Sequence, residues 1–101
     1  MLKRTKRRYL AVEIESPEAI DSKEFMDAIW NALTRLYGEY GASKASLTMI
    51  DYNQEKRIAI IRAALVSVDM VRAAIASVTR MGDKPVALHV LRVSGTLRSL
   101  R

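Results

Sequence analysis

LTMIDYNQEKRIAIIRAAL, residues 47–65, is the stretch on which the fold turns. Leu47 to Tyr52 and Arg57 to Leu65 are rich in β-branched and other apolar residues, and the polar Asn53, Gln54, Glu55 and Lys56 between them suit a hairpin loop. Two consecutive strands therefore lie in mid-chain, paired antiparallel.

Outward from this hairpin the periodicity switches to 3.6 on both sides. Upstream, Phe25, Ile29, Leu33, Leu36 and Tyr37 recur at helical intervals, Asp21 and Glu24 have capping-box spacing, and Gly38 and Gly41 stop the run, which predicts a helix over 22–38. Downstream, Val68, Val71, Ala74, Ile75 and Val78 share a helical face, with Gly82 placed as the residue just past the helix end and Pro85 beyond it. The outermost segments return to a period of two. Leu10, Val12 and Ile14 alternate with Tyr9, Ala11, Glu13 and Glu15 before Ser16 and Pro17, and Val86 to Val93 makes a last strand ended by Gly95.

The order β-α-β-β-α-β predicts an α+β fold of the ferredoxin-like, split-βαβ kind: a four-stranded antiparallel sheet with two helices on one face. Right-handed crossovers give the strand order 4-1-3-2 and set the last strand antiparallel to the first. At 101 residues the chain reads as a single domain, residues 1–101, with basic segments at both ends. Half of it is apolar and 28% is charged, which excludes a disordered chain. There is no cysteine, so disulfides and thiolate metal sites are excluded. No apolar run reaches the length of a signal-peptide core or a membrane span, and the expectation is a soluble, cytoplasmic protein without membrane contact.

Charge is distributed unevenly. Lys3, Arg4, Lys6, Arg7 and Arg8 at one end and Arg92, Arg98 and Arg101 at the other make eight cations with no acid in residues 1–8 or 92–101, whereas residues 9–91 hold nine basic groups against eleven acidic ones. The predicted strand order places the start of strand one beside the end of strand four, so the two blocks converge into one patch. Many cations on one surface point to a polyanion. Solvated chain ends are the plainer account of such blocks.

Enzyme readings fare poorly. His89 stands in an apolar strand with no nucleophile visibly paired to it, and one histidine does not build a usual zinc site. Glu13 and Glu15 share a strand face, but carboxylates so placed are ordinarily solvated. Strand three carries no aromatic residue and strand one only Tyr9, so recognition of RNA by stacked bases is not expected, and phosphates and shape should dominate. Trp30, Tyr37 and Tyr40, on or after helix one, suit core packing or a protein contact.

Arg8-Tyr9-Leu10-Ala11-Val12-Glu13-Ile14, the Ala28-Ile29-Trp30 helix leading to Tyr37-Gly38, Val71-Arg72-Ala73-Ala74 and Val93-Ser94-Gly95-Thr96-Leu97-Arg98 together resemble the ribonuclease P protein component 2 family of archaea and eukaryotes, over nearly the whole chain. The resemblance implies a ferredoxin-like subunit that pairs with a TIM-barrel protein subunit, and the assembly expected is a homodimer or a heterotetramer. It further implies support for an RNA catalyst, with its own Mg²⁺, that removes the 5′ leader from precursor tRNA; this chain itself would bind no cofactor. Many family members continue past the Val-Ser-Gly-Thr segment, whereas this sequence stops at Arg101. The RNA contacts expected are Lys3, Arg4, Lys6, Arg7, Arg8, Arg92, Arg98 and Arg101, with Thr96 as a hydrogen-bond donor. The competing reading is a regulatory or oligomerising ferredoxin-like domain for protein or a small ligand, which the salt dependence of RNA binding would separate.

One more expectation concerns the helix-free face of the sheet. Strands three and four are apolar at both parities, the pattern of strands covered on both sides, so Tyr9 with Ile61 or Leu91 is expected to form a protein interface there.

Overall fold

The computed structural model describes residues 6–100. Strand β1 (Arg7–Glu15) leads into α1 (Ser22–Lys44), then β2 (Thr48–Asn53), β3 (Ile58–Ala64), α2 (Val68–Ser77), the two-residue strands β4 (Arg80–Met81) and β5 (Lys84–Pro85), and β6 (Ala87–Ser94). The main sheet runs β2-β3-β1-β6 with every pairing antiparallel, which is the predicted ferredoxin-like order with β6 as the fourth strand. Among the described residues no helix is long and apolar enough to cross a membrane.

Alternation along β1 assigns the faces. Leu10, Val12 and Ile14 are buried together with Ala59, Ile61 and Ala63 of β3, Leu88 of β6, Phe25, Ile29 and Leu33 of α1, and Val71, Ala74 and Ile75 of α2. Phe25 is the largest side chain wholly out of solvent, its ring tilted 48° to that of Tyr52 at 6.1 Å. The Tyr52 hydroxyl donates to the carbonyl of Ile20, and burial, ahead of the nearby Asp21 carboxylate, raises its pKa.

The start of α1 is a complete capping box. The Glu24 N–H donates to Asp21 Oδ1 at 2.8 Å and the Asp21 N–H returns to Glu24 Oε1 at 3.4 Å, so two donors that a helix end leaves orphaned are satisfied. Lys84 Nζ, on the small β4-β5 hairpin, adds a contact to Glu24 Oε1 at 3.1 Å and donates to the carbonyl of Ala19 at 3.2 Å. Its bond to Glu24 holds the ammonium pKa above the ordinary lysine value. Asp21→Ala should cost about 1 kcal/mol. The check is a lower urea midpoint at unchanged slope; an unmoved midpoint would mean that the cap adds nothing.

Two glycines do other work than the sequence suggests. Gly38, at φ 77°, breaks α1 where a stop was predicted, but the chain resumes its helix and continues to Lys44. Gly82, at φ 65°, does not follow α2, which ends at Ser77 with Val78 already extended. It is the first residue of the two-residue turn between β4 and β5, a position that takes positive φ in a type II′ hairpin.

Candidate nucleic-acid interface

The pairing of β1 with β6 brings Tyr9 opposite Ser94, Leu10 opposite Val93 and Ala11 opposite Arg92. The start of the first strand and the end of the last are thus neighbours, and Lys6, Arg7, Arg8, Arg92 and Arg98 gather at one pole of the sheet. Lys3, Arg4 and Arg101 lie outside the described residues. The Arg8 guanidinium lies along Gly95, where an added Cβ would sit 3.5 Å from Nη1, and Nη1 donates to the Arg7 carbonyl at 2.9 Å. Lys44, at the end of α1, reaches the same pole, because Ala45 accepts from the N–H of Ala64, the residue opposite Arg7.

After β6 the chain folds back in a single 3₁₀ turn over Arg98–Leu100. Arg92 Nη1 donates to the Ser99 carbonyl at 2.7 Å, and the Ser99 hydroxyl bonds to those of Ser94 and Thr96. The Thr96 hydroxyl, expected to face RNA, is engaged within this turn, where it stands 3.1 Å from Ser99 Oγ. This network fixes the backbone that carries Arg98, so the cation is presented from an ordered turn.

The helix-free face is laid out in rows by the register. Thr48, Arg62, Tyr9 and Ser94 make one row across all four strands; Asp51, Ile60, Ala11 and Arg92 make the next; Asn53, Ile58, Glu13 and His89 a third. Arg7 heads the face beside Ala64. Arginines thus crowd the pole, whereas at the far end Glu13 and Glu15 stand among Lys56, Arg57 and His89, and His89 Nε2 contacts Glu15 Oε1 at 3.1 Å. Among the described residues no three His, Asp or Glu side chains are grouped so as to hold a metal.

Ile61 does not belong to this face. It is wholly buried beneath the helices, since its register partner is the inward Leu10, and it has no surface to give a partner. Leu91 is the extra residue of a β-bulge opposite Ala11 and Val12; it stands 52% exposed beside Glu13 and His89. Ala11 and Ile60, between the long side chains of neighbouring rows, are each only 7% exposed, so little apolar area remains there. Apart from Leu91, the exposed large apolar groups lie on α1 or in the turn that joins β3 to α2. Trp30 and Tyr37, seven residues apart on α1, are well exposed, as are Tyr40 at 81% and Val66 at 78%. Met70 of α2 approaches α1 at Gly41, where an added Cβ would sit 3.3 Å from its Cε, and Lys44 Nζ lies 5.9 Å from the centre of the Tyr40 ring.

Fold and site together define a small ferredoxin-like α+β module whose cations are concentrated where its first and last strands meet. The chain belongs to the Rpp14/Pop5 family, whose sequence pattern matches residues 8–101. It is similar to ribonuclease P protein component 2 of Halorubrum lacusprofundi, at 38% identity over 95% of this chain and 63% of that protein. It is also similar to the proteins of that name from Methanococcus maripaludis, at 32% over 97% of this chain and 74% of that one, and from Pyrococcus furiosus, at 33% over 97% and 82%. The chain thus spans less than two thirds of the Halorubrum relative. A chain in the cryo-EM structure of yeast ribonuclease MRP shares the fold, with a TM-score of 0.77 at 20% identity over 97% of this chain and 80% of that one.

Proposed function

We propose that this chain is an RNA-binding protein subunit of ribonuclease P that supports RNA-catalysed removal of the 5′ leader from precursor tRNA. The observation that carries the reading is the β1-β6 pairing, which turns two sequence-distant basic segments into one surface in a member of the Rpp14/Pop5 family. Lys6, Arg7, Arg8, Arg92 and Arg98 contact phosphates of the ribonuclease P RNA or of precursor tRNA, and Lys44 adds to them. Phosphate contacts of this kind position a protein without reading sequence. The chemistry belongs to the RNA and to the Mg²⁺ that it holds. The TIM-barrel subunit docks on exposed apolar groups of α1 and of the turn before α2, Tyr37, Tyr40 and Val66, and the complex works in the cytoplasm.

Reconstitution tests this reading. The full chain alone should leave precursor tRNA uncut, whereas adding it with the TIM-barrel subunit to the catalytic RNA should raise the cleavage rate or lower the Mg²⁺ requirement. Cleavage by the pure chain without RNA, or a reconstituted rate indifferent to it, would overturn the assignment.

A further inference from the structure

We propose that Tyr9 and Arg62 form a subsite for one unpaired nucleotide of RNA, its base stacked on the tyrosine ring and its phosphate against the guanidinium. The inference rests on the RNA-subunit reading and adds a place at which that RNA is single-stranded.

Arg62 is the observation that asks for a ligand. It projects from the central strand β3 on the helix-free face, since its neighbours Ile61 and Ala63 both enter the core. It is partly buried, its Nε is shielded from solvent without an acceptor, and no carboxylate among the described residues pairs with it. Removing a charge from water without a counter-charge is unfavourable, so an anion brought to this position recovers energy that the free protein lacks. The register then specifies what kind of anion. Tyr9, partly exposed, stands directly opposite Arg62, with Ser94 on its other side and Thr48 beyond the arginine. Arg7 precedes Tyr9 on the same face, and Arg92 lies one row behind. An aromatic ring flanked by cations, with hydroxyls at both ends of the row, matches a nucleotide: the ring takes the face of a base, and the arginines take the phosphates on either side.

The floor fits the same occupant. Ala64 and Ala11 are small and Ile60 is nearly covered, so nothing rises between the ring and the arginine to hold a base away. Among the described residues Tyr9 is the one Phe, Tyr or Trp on this face, so one base stacks there. An RNA duplex, whose bases are already stacked on each other, has none to give.

The test uses the full chain with two probes: a fluorescein-labelled RNA heptamer of non-pairing sequence, and a duplex RNA of equal phosphate number, each followed by anisotropy. Tyr9→Leu should lower affinity for the single strand about 5- to 150-fold, leave duplex affinity unchanged, and be rescued by Tyr9→Phe. Arg62→Gln should reduce the single-strand salt slope by about 0.7, one phosphate contact. In the wild-type chain, which needs no variant to fold, the Tyr9 ring protons should shift upfield when the heptamer is added. Unmoved Tyr9 resonances, or a Tyr9→Leu variant that binds the heptamer like wild type, would overturn the subsite. If reversal of Arg7, Arg8 and Arg98 still weakened both probes, the RNA-subunit reading would stand without it; a wild-type chain that bound neither RNA would end both.

Discussion

Replacing Arg7, Arg8 and Arg98 together with glutamate should reduce RNA affinity by about two orders of magnitude at 0.15 M salt while the chain stays folded. Each phosphate contact releases condensed counterions, so log affinity falls against log salt with a slope of about 0.7 to 0.9 per contact, and losing three should flatten the line by about 2 to 3 units. That slope is the sharper observable, because it counts contacts whatever their geometry. The fold should tolerate the change: Arg7 and Arg98 are exposed, and among the described residues the Arg8 guanidinium donates only to the carbonyl of the residue before it. Surface substitutions of this kind typically move stability by no more than about 0.5 kcal/mol. A titration between 50 and 500 mM salt gives affinity and slope together. A triple variant with wild-type values of both would show that the pole does not meet RNA.

Ile61→Asp should leave the chain unfolded at 25 °C, whereas Leu91→Asp should fold with a nearly wild-type urea midpoint. Ile61 is sealed between the sheet and both helices. Aspartate there forfeits the packing of a buried isoleucine, about 2 to 5 kcal/mol on the scale of large-to-small changes, and adds the cost of a carboxyl group without a partner. The sum approaches the entire stability of an ordinary domain, about 5 to 15 kcal/mol. Leu91 bulges outward with half its surface in water, and an aspartate at that site remains hydrated. Far-UV circular dichroism and urea titration separate the pair. A cooperatively folded Ile61→Asp variant would mean that β3 faces the other way.

That contrast also shows where sequence reading stops. The parity of β1 is legible, because Leu10, Val12 and Ile14 alternate with a tyrosine, an alanine and two glutamates. The parity of β3 is not, since Ile58 and Ile60 balance Ala59 and Ile61 in hydrophobicity, and only the register against β1 decides which set goes inward. Helix α1 was legible to Gly38 but not beyond, because helical spacing cannot report that the chain rejoins its helix after one aberrant residue. Strands β4 and β5, two residues each, are too short to show any period, which is why Gly82 passed for a helix terminator. Convergence of the basic ends followed from topology alone. Arg62 was invisible as a site residue because its meaning comes from lying across from Tyr9, a neighbour that no local pattern reveals.

The pairing of β1 with β6 also orders events in time. Until β6 docks, β1 has β3 on one side and an open edge on the other, with the backbone groups that later bond β6 left to water. In that state the cations of the first segment stand without those of the last. The basic pole is complete only when the final strand docks, and that closure spans nearly the entire sequence, a contact whose loop-closure entropy is high. The cationic pole is thus a property of the closed sheet, and a chain without β6 would carry the first basic segment without its counterpart.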